Sequence, residues 1–190
     1  MGESVPEDRT DLAAAVEELL AKQAIREALQ DYCRAVDRID RELLLSVWHP
    51  DATIRYEGGV KGTPEEIVDF FIEAHRGFAA HAHHITNVTT VVDGNTAVSE
   101  AYVTSRLRSH PDEAGRAVDM VVSGRYLDRW SKRHGRWAIE DRQFVFDVHG
   151  EHEVVADFGH FPDWPDTATA PLAHRGREDP SYALLESLGA

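Results

Sequence analysis

Apolar residues in the opening part of the chain recur every three or four positions: Leu12, Val16, Leu19, Leu20, Ile25, Leu29, Tyr32, Cys33 and Val36. That period marks amphipathic helix, expected over residues 11–37 as one helix or two. A short helix over 41–48 leads through Pro50 into a strand at 53–56, which Gly58 and Gly59 close. Thr63, Pro64, Glu65 and Glu66 together make a helix start: a hydroxyl cap, proline at the first helical position and carboxylates in the first turn. The helix they open is expected to run to about 78. From there the period falls to two, and strands are expected at about 82–92, 96–109, 117–131 and 136–148. Asp93, Gly94 and Asn95 read as one hairpin turn, His134 and Gly135 as another, and residues 109–115 as a longer loop. Helices followed by an antiparallel meander predict an α+β domain with its sheet wrapped over the helices.

With 190 residues the chain suits one ordinary domain, expected over 11–149, after a polar lead at 1–10. Beyond 150 the periodicity is lost. His152, Phe158, His160, Phe161 and Trp164 among several prolines suggest an ordered arm, with a short helix from Tyr182. A net charge of −14 argues against nucleic acid and anionic membrane as partners, since both reward clustered Lys and Arg. No stretch has the apolar length of a membrane span and the start lacks signal-peptide character, so a cytoplasmic protein is expected. The single cysteine, Cys33, excludes an internal disulfide and any thiolate metal cluster, and its apolar neighbours make it a core side chain.

Candidate chemistry begins with His81, His83 and His84 on the first long strand. Alternation places His83, Ile85 and Asn87 on one face and His84, Thr86 and Val88 on the other. A core-facing imidazole is either hydrogen-bonded filler or an acid–base group held for proton transfer. Asp37, one turn after Cys33 at the edge of the apolar stripe, is either a helix-end cap or the carboxylate partner of such an imidazole. Arg142 shares its strand parity with Phe144 and Phe146, so it needs a carboxylate or an anionic ligand, unless a bulge between Ile139 and Phe144 reverses the parity. The histidine cluster has no carboxylate within two residues and no helical His or Glu pairing of metal-binding spacing, so no metal is expected. Glycine-rich phosphate loops and the serine nucleophile motif are absent, which argues against a nucleotide cofactor and an α/β-hydrolase mechanism.

The ordered set Ala24-Ile25-Arg26, Tyr32 with Asp37, Trp48-His49-Pro50-Asp51-Ala52, His83 with Asn87, Gly94 to Ala97, and Gly135-Arg136-Trp137 with Arg142 resembles the SnoaL-like branch of the NTF2-like superfamily. Within it the chain is most similar to scytalone dehydratase, bile acid 7α-dehydratase and hexachlorocyclohexane dehydrochlorinase, over about residues 10–149. The resemblance implies a cone-shaped fold, a curved sheet around a pocket closed by the helices, and elimination without a cofactor. It assigns His83 and Asp37 to a general-base dyad and Tyr32 and Arg142 to the stabilisation of developing negative charge. Trp48, Tyr56, Asn87 and Phe144 are the substrate-binding residues that accompany this reading. The implied activity is a dehydratase-type lyase on a hydrophobic alicyclic, steroid-like or polyketide-like molecule; the alternatives are an isomerase using the same base and a non-catalytic binding module. The relatives imply a homo-oligomer, a trimer ahead of a dimer.

Overall fold

A computed structural model describes residues 7–56, 59–154 and 174–188. The chain opens with one continuous helix, α1 (Glu7–Arg38), so helix starts inside the polar lead and the long stripe belongs to a single element. Its buried line, Ala21, Ile25, Leu29, Tyr32, Cys33 and Val36, follows the three- and four-residue spacing. The helix stops at Ile39, which takes a left-handed backbone with φ of 56° while the Asp40 amide donates to the Ala35 carbonyl at 2.9 Å. The Asp40 carboxylate then caps α2 (Arg41–Ser46) by accepting from the Leu43 amide. Trp48, expected to end that helix, instead opens β1 (Trp48–Arg55).

After a two-residue strand, β2 (Lys61–Gly62), Thr63 starts α3 (Pro64–Arg76) in a full capping box, with Glu66 reaching back to the Thr63 amide. Four long strands follow: β3 (Ala80–Asp93), β4 (Thr96–Arg108), β5 (Val118–Arg133) and β6 (Arg136–Glu153). They form one six-stranded sheet in the order β2-β1-β6-β5-β4-β3, antiparallel except where β1 runs parallel to β6. The sheet curves over α1 and α3, in the α+β arrangement the pattern predicts. The turn at His134 and Gly135 needs left-handed backbone at both positions, φ 52° and 82°, which a glycine second residue makes easy.

The core lies between the sheet's inner face and α1. Ile25 and Leu29 meet a layer containing Ala101, Val103, Tyr126, Trp130 and Ile139, all less than a tenth exposed. Each fully buried aliphatic of this kind contributes on the order of 1.5–3 kcal/mol. Register shifts re-aim the strands in several places, and two of them bear on the expected site. A register shift between Ile85 and Val88 on β3 sends both Thr86 and Asn87 outward and turns Val88 toward the core. Asn87 therefore leaves the face of His83, contrary to simple alternation, because a bulge inserts one residue into the period of two. A second shift lies where Arg129 and Trp130 of β5 face Asp141 and Ile139 of β6, the bulge anticipated between Ile139 and Phe144.

Residues 174–188 hold a 3-10 turn (Gly176–Glu178) and α4 (Pro180–Glu186). Tyr182 is buried against α1, donates its hydroxyl to Asp40 at 2.5 Å, and lies under the Arg34 guanidinium, 4.2 Å from its ring centroid. Phe158, His160, Phe161 and Trp164 of the expected arm lie outside the described residues, whereas His152 belongs to β6. No helix among the described residues is long and apolar enough to cross a membrane.

Candidate active site

Asp37 stands in the last turn of α1, and the inner face of β3 brings His83 to it. The His83 Nδ1–H donates to Asp37 Oδ1 at 2.8 Å, and the His83 backbone N–H donates to Asp37 Oδ2 at 3.1 Å. Both carboxylate oxygens are thus engaged by one residue, which fixes the ring's orientation and its tautomer. The proton sits on Nδ1, and Nε2 keeps its lone pair. The two side chains are 9 % and 15 % exposed, screened from bulk water yet not sealed.

Two further imidazoles flank His83. His75, from the last turn of α3, lies with its ring centroid 5.3 Å from that of His83, and His81 lies 5.0 Å from His75. His75 Nδ1 donates to the Phe71 carbonyl at 2.8 Å and His81 Nε2 donates to the Val36 carbonyl at 3.1 Å. Burial, reinforced by the His83 ring, pushes the His75 imidazole down to about 4, and burial lowers His81 as well. His75 is therefore neutral near pH 7, and His81 is biased the same way. Among the described residues, no group of three or more His, Cys, Asp or Glu side chains is arranged to hold a metal ion.

A second cluster surrounds Arg142. Its Nε and Nη2 donate to the two oxygens of Asp128 on β5, both at 2.7 Å, and neither side chain is exposed at all. Nη1 has no hydrogen-bond partner. The guanidinium carbon instead lies 3.9 Å from the Tyr126 ring centroid, 4.4 Å from Tyr32 and 5.1 Å from Trp48. Burial opposes the charge, but the facing Asp128 carboxylate and its two hydrogen bonds outweigh it and hold Arg142 protonated. Of the two partners the sequence allowed Arg142, a carboxylate or an anionic ligand, the structure supplies the carboxylate.

Tyr32 and Tyr56 share a hydrogen bond between hydroxyls at 2.9 Å. Tyr56 stacks on Phe144 at 5.1 Å and meets Phe71 edge-on at 4.9 Å. Burial raises the pKa of both tyrosines, so both remain proton donors. A row of rings runs from the dyad to this pair: His83, His75, Phe71, Tyr56, Phe144. The structure therefore brings together Asp37 with His83, and Tyr32 with Tyr56, Trp48, Phe144 and Arg142, while Asn87 is exposed beyond the bulge. Sequence reasoning missed Tyr126, Asp128 and His75. Tyr126, Asp128 and Trp130 alternate on β5, so a lone carboxylate on an apolar parity was as visible there as Arg142 was on β6.

Residues 17–143 match the SnoaL-like domain family. The chain belongs to that family. Three uncharacterized mycobacterial proteins, two from Mycobacterium tuberculosis and one from Mycobacterium bovis, are 34 % identical to this SnoaL-like protein over 94 residues; the match takes in 48 % of the chain and 63 % of their own length. The fold is shared with a putative scytalone dehydratase from Novosphingobium aromaticivorans at 21 % identity, with a TM-score of 0.62 over 73 % of this chain and 92 % of that one. It is shared too with a hexachlorocyclohexane dehydrochlorinase, LinA-type3, from Novosphingobium barchaimii at 16 % identity, with a TM-score of 0.62 over 75 % of this chain and 96 % of that one. At these identities the likeness establishes the NTF2-like architecture, whose chemistry is decided by the site.

Proposed function

We propose that the protein is a cofactor-independent lyase of the dehydratase type, with Asp37 and His83 as its general base and a hydrophobic alicyclic, steroid-like or polyketide-like molecule as its substrate. The observation that carries this reading is the two-point hold of Asp37 on His83, which leaves Nε2 as the one basic lone pair of the dyad. In the elimination, Nε2 takes a proton from carbon, ideally one next to a carbonyl. The C–H electrons become the new double bond, the carbon–oxygen bond at the neighbouring carbon breaks, and the departing hydroxide leaves as water on taking the proton back from the His83 imidazolium, which restores the base. The imidazolium formed meanwhile is stabilised by the Asp37 carboxylate.

The Tyr32 and Tyr56 hydroxyls supply one hydrogen bond beyond the one they share, aimed at charge developing on the substrate. Tyr56 is half-buried and Tyr32 is 3 % exposed, so Tyr56 meets the ligand and Tyr32 orients it. A preorganised donor of this kind is worth about 2.7–4 kcal/mol in comparable oxyanion sites. Arg142, sealed behind Tyr32 and Tyr126, positions the tyrosines rather than touching substrate. The apolar walls favour a hydrophobic substrate: Phe71 and Phe144 are partly exposed, and Val122 and Phe146 lie on the same inward parity of the sheet as His83. The names of the two structural relatives, a dehydratase and a dehydrochlorinase, describe eliminations and support the same class.

The test is incubation with a panel of cyclic β-hydroxy-ketones and steroid-like alcohols, following product mass for wild type, His83→Ala and Asp37→Asn. Loss of water with wild type, abolished by His83→Ala and reduced at least ~100-fold by Asp37→Asn, is expected from general-base catalysis. Turnover that survives His83→Ala would overturn the assignment of the base. Deuterium uptake from heavy water without mass loss would turn the reading to an isomerase.

A further inference from the structure

Residues 174–182 bear on two corners of the fold at once. At the first corner Asp179, buried at 4 % exposure, accepts from the Ser181 amide at 3.0 Å and stands 3.2 Å from Arg38 Nε in an ion pair. Tyr182, buried as well, donates to Asp40. Arg38 and Asp40 directly follow Asp37, on either side of the left-handed residue Ile39 that ends α1. Arg175 reaches the second corner. Its guanidinium donates to the Arg76 carbonyl at 3.3 Å and to the Phe78 carbonyl, at and just past the end of α3, where the helix's own amides have run out. That corner holds His75 in the last turn of α3 and leads into His81 and His83 on β3. From the inside, His81 joins it back to the last turn of α1 by donating to the Val36 carbonyl.

We propose that Arg175 is a positioning residue for the dyad, the far end of a brace that ties the end of α1, which carries Asp37, to the α3–β3 corner, which delivers His83. The inference rests on the proposed base and adds what holds its two partners in register. Asp37 and His83 are 46 residues apart in the chain, so no local geometry sets their separation. A misplacement of about 1 Å at such a pair can cost about 100-fold in rate. Asp179 and Tyr182 anchor the brace beside Asp37, and Arg175 fixes its other end beside the imidazoles. The Arg175 charge has a second effect there. Burial disfavours a proton on His81 and the Arg175 cation adds to it, against the Val36 carbonyl and the Asp37 carboxylate, with His83 and His75 the remaining titratable groups beside the ring.

Imidazole NMR of the full-length chain tests the brace without substrate, by the exchange of the His83 Nδ1 proton with water. Arg175→Gln and, at the other end, Tyr182→Phe should each speed that exchange several-fold, while Arg175→Lys, whose ammonium can donate to the same carbonyls, should restore most of the protection. The His81 titration midpoint should rise in Arg175→Gln and stay in Arg175→Lys, which loss of packing alone does not produce. On the dehydration panel, Arg175→Gln should lower kcat several-fold with KM held. Exchange unchanged in both Arg175→Gln and Tyr182→Phe, or quickened only as far as urea unfolding shows the whole fold weakened, would overturn the brace. A wild type inactive on the whole panel would instead count against the proposed function, and the exchange result would still decide the brace.

Discussion

Lowering the pH should weaken the fold through His75, by an amount the site itself sets. In the folded protein burial holds this imidazole down at about 4, with the His83 ring adding to the effect and the Phe71 carbonyl opposing it. In the unfolded chain it titrates near 6.5. Between those two values the unfolded state binds the extra proton and the folded state does not, so stability is lost as pH falls below about 6.5 and the loss is complete near 4; above about 6.5 the group contributes nothing. At ~1.4 kcal/mol per pH unit the loss reaches about 2.5 kcal/mol at pH 4.5 and about 3 kcal/mol in full. The charged and titratable groups around the ring are Asp37 on α1, His81 and His83 on β3, and, acting through His81, Arg175 just ahead of the 3-10 turn. These neighbours are the same in wild type and in a His75→Gln variant, which cannot gain the proton. Urea unfolding of both proteins at pH 7 and pH 4.5 isolates the His75 contribution: wild type should lose about 2 kcal/mol or more beyond what the variant loses. Equal losses, within about 0.5 kcal/mol, would refute the claim that burial keeps His75 neutral.

Two substitutions probe the packing behind the tyrosines. Asp128→Asn leaves the Arg142 charge buried without its bidentate partner, and should cost about 3–5 kcal/mol in chemical unfolding; a double variant with Arg142→Met, which removes both charges, should recover most of that, and a single-variant loss under about 1 kcal/mol would show that the rings alone carry the guanidinium. Gly124→Ala puts a methyl 2.6 Å from the Phe144 ring and against the Val145 carbonyl, so it should displace Phe144 from Tyr56 and cost about 1–3 kcal/mol; an unchanged thermal midpoint would show that the strand yields there freely.

The sequence exposes what depends on period and chemistry type, and conceals what depends on register. The helix from Thr63 was legible because its cap, proline and Glu66 are local, and all three act within one turn of chain. The His83–Asp37 pair was legible in part: alternation turned His83 inward and the stripe edge turned Asp37 toward the core. That the carboxylate would hold both the ring and the amide of the same residue follows from where β3 crosses the end of α1, which no local pattern records. Asn87 shows the reverse failure. The rule of two holds up to Ile85 and breaks at the bulge, and nothing in the surrounding Thr and Val residues announces the extra residue. His75 was hidden because a histidine near a helix end reads as a solvated cation until Phe71, His81 and His83 are seen around it.

The two buried charge systems differ in a way that supports the proposed base. Arg142 and Asp128 have no exposed surface, and their mutual bonds occupy both carboxylate oxygens, so exchanging a proton or a ligand there would mean opening the core. Such a pair is a fixed post, and what it fixes is the stack of Tyr32, Tyr126 and Trp48 on the guanidinium. Asp37 and His83 keep 15 % and 9 % of their surface, and the dyad retains an uncommitted Nε2. Acid–base chemistry needs a group that is oriented but not exhausted by its partners, and the dyad meets both conditions where the buried pair meets only the first. A neutral His75 beside it sharpens the distinction, because a second imidazolium 5.3 Å away would raise the cost of charging His83 during proton transfer. The same burial that makes His75 a liability in acid therefore leaves His83 free of a competing positive charge at neutral pH.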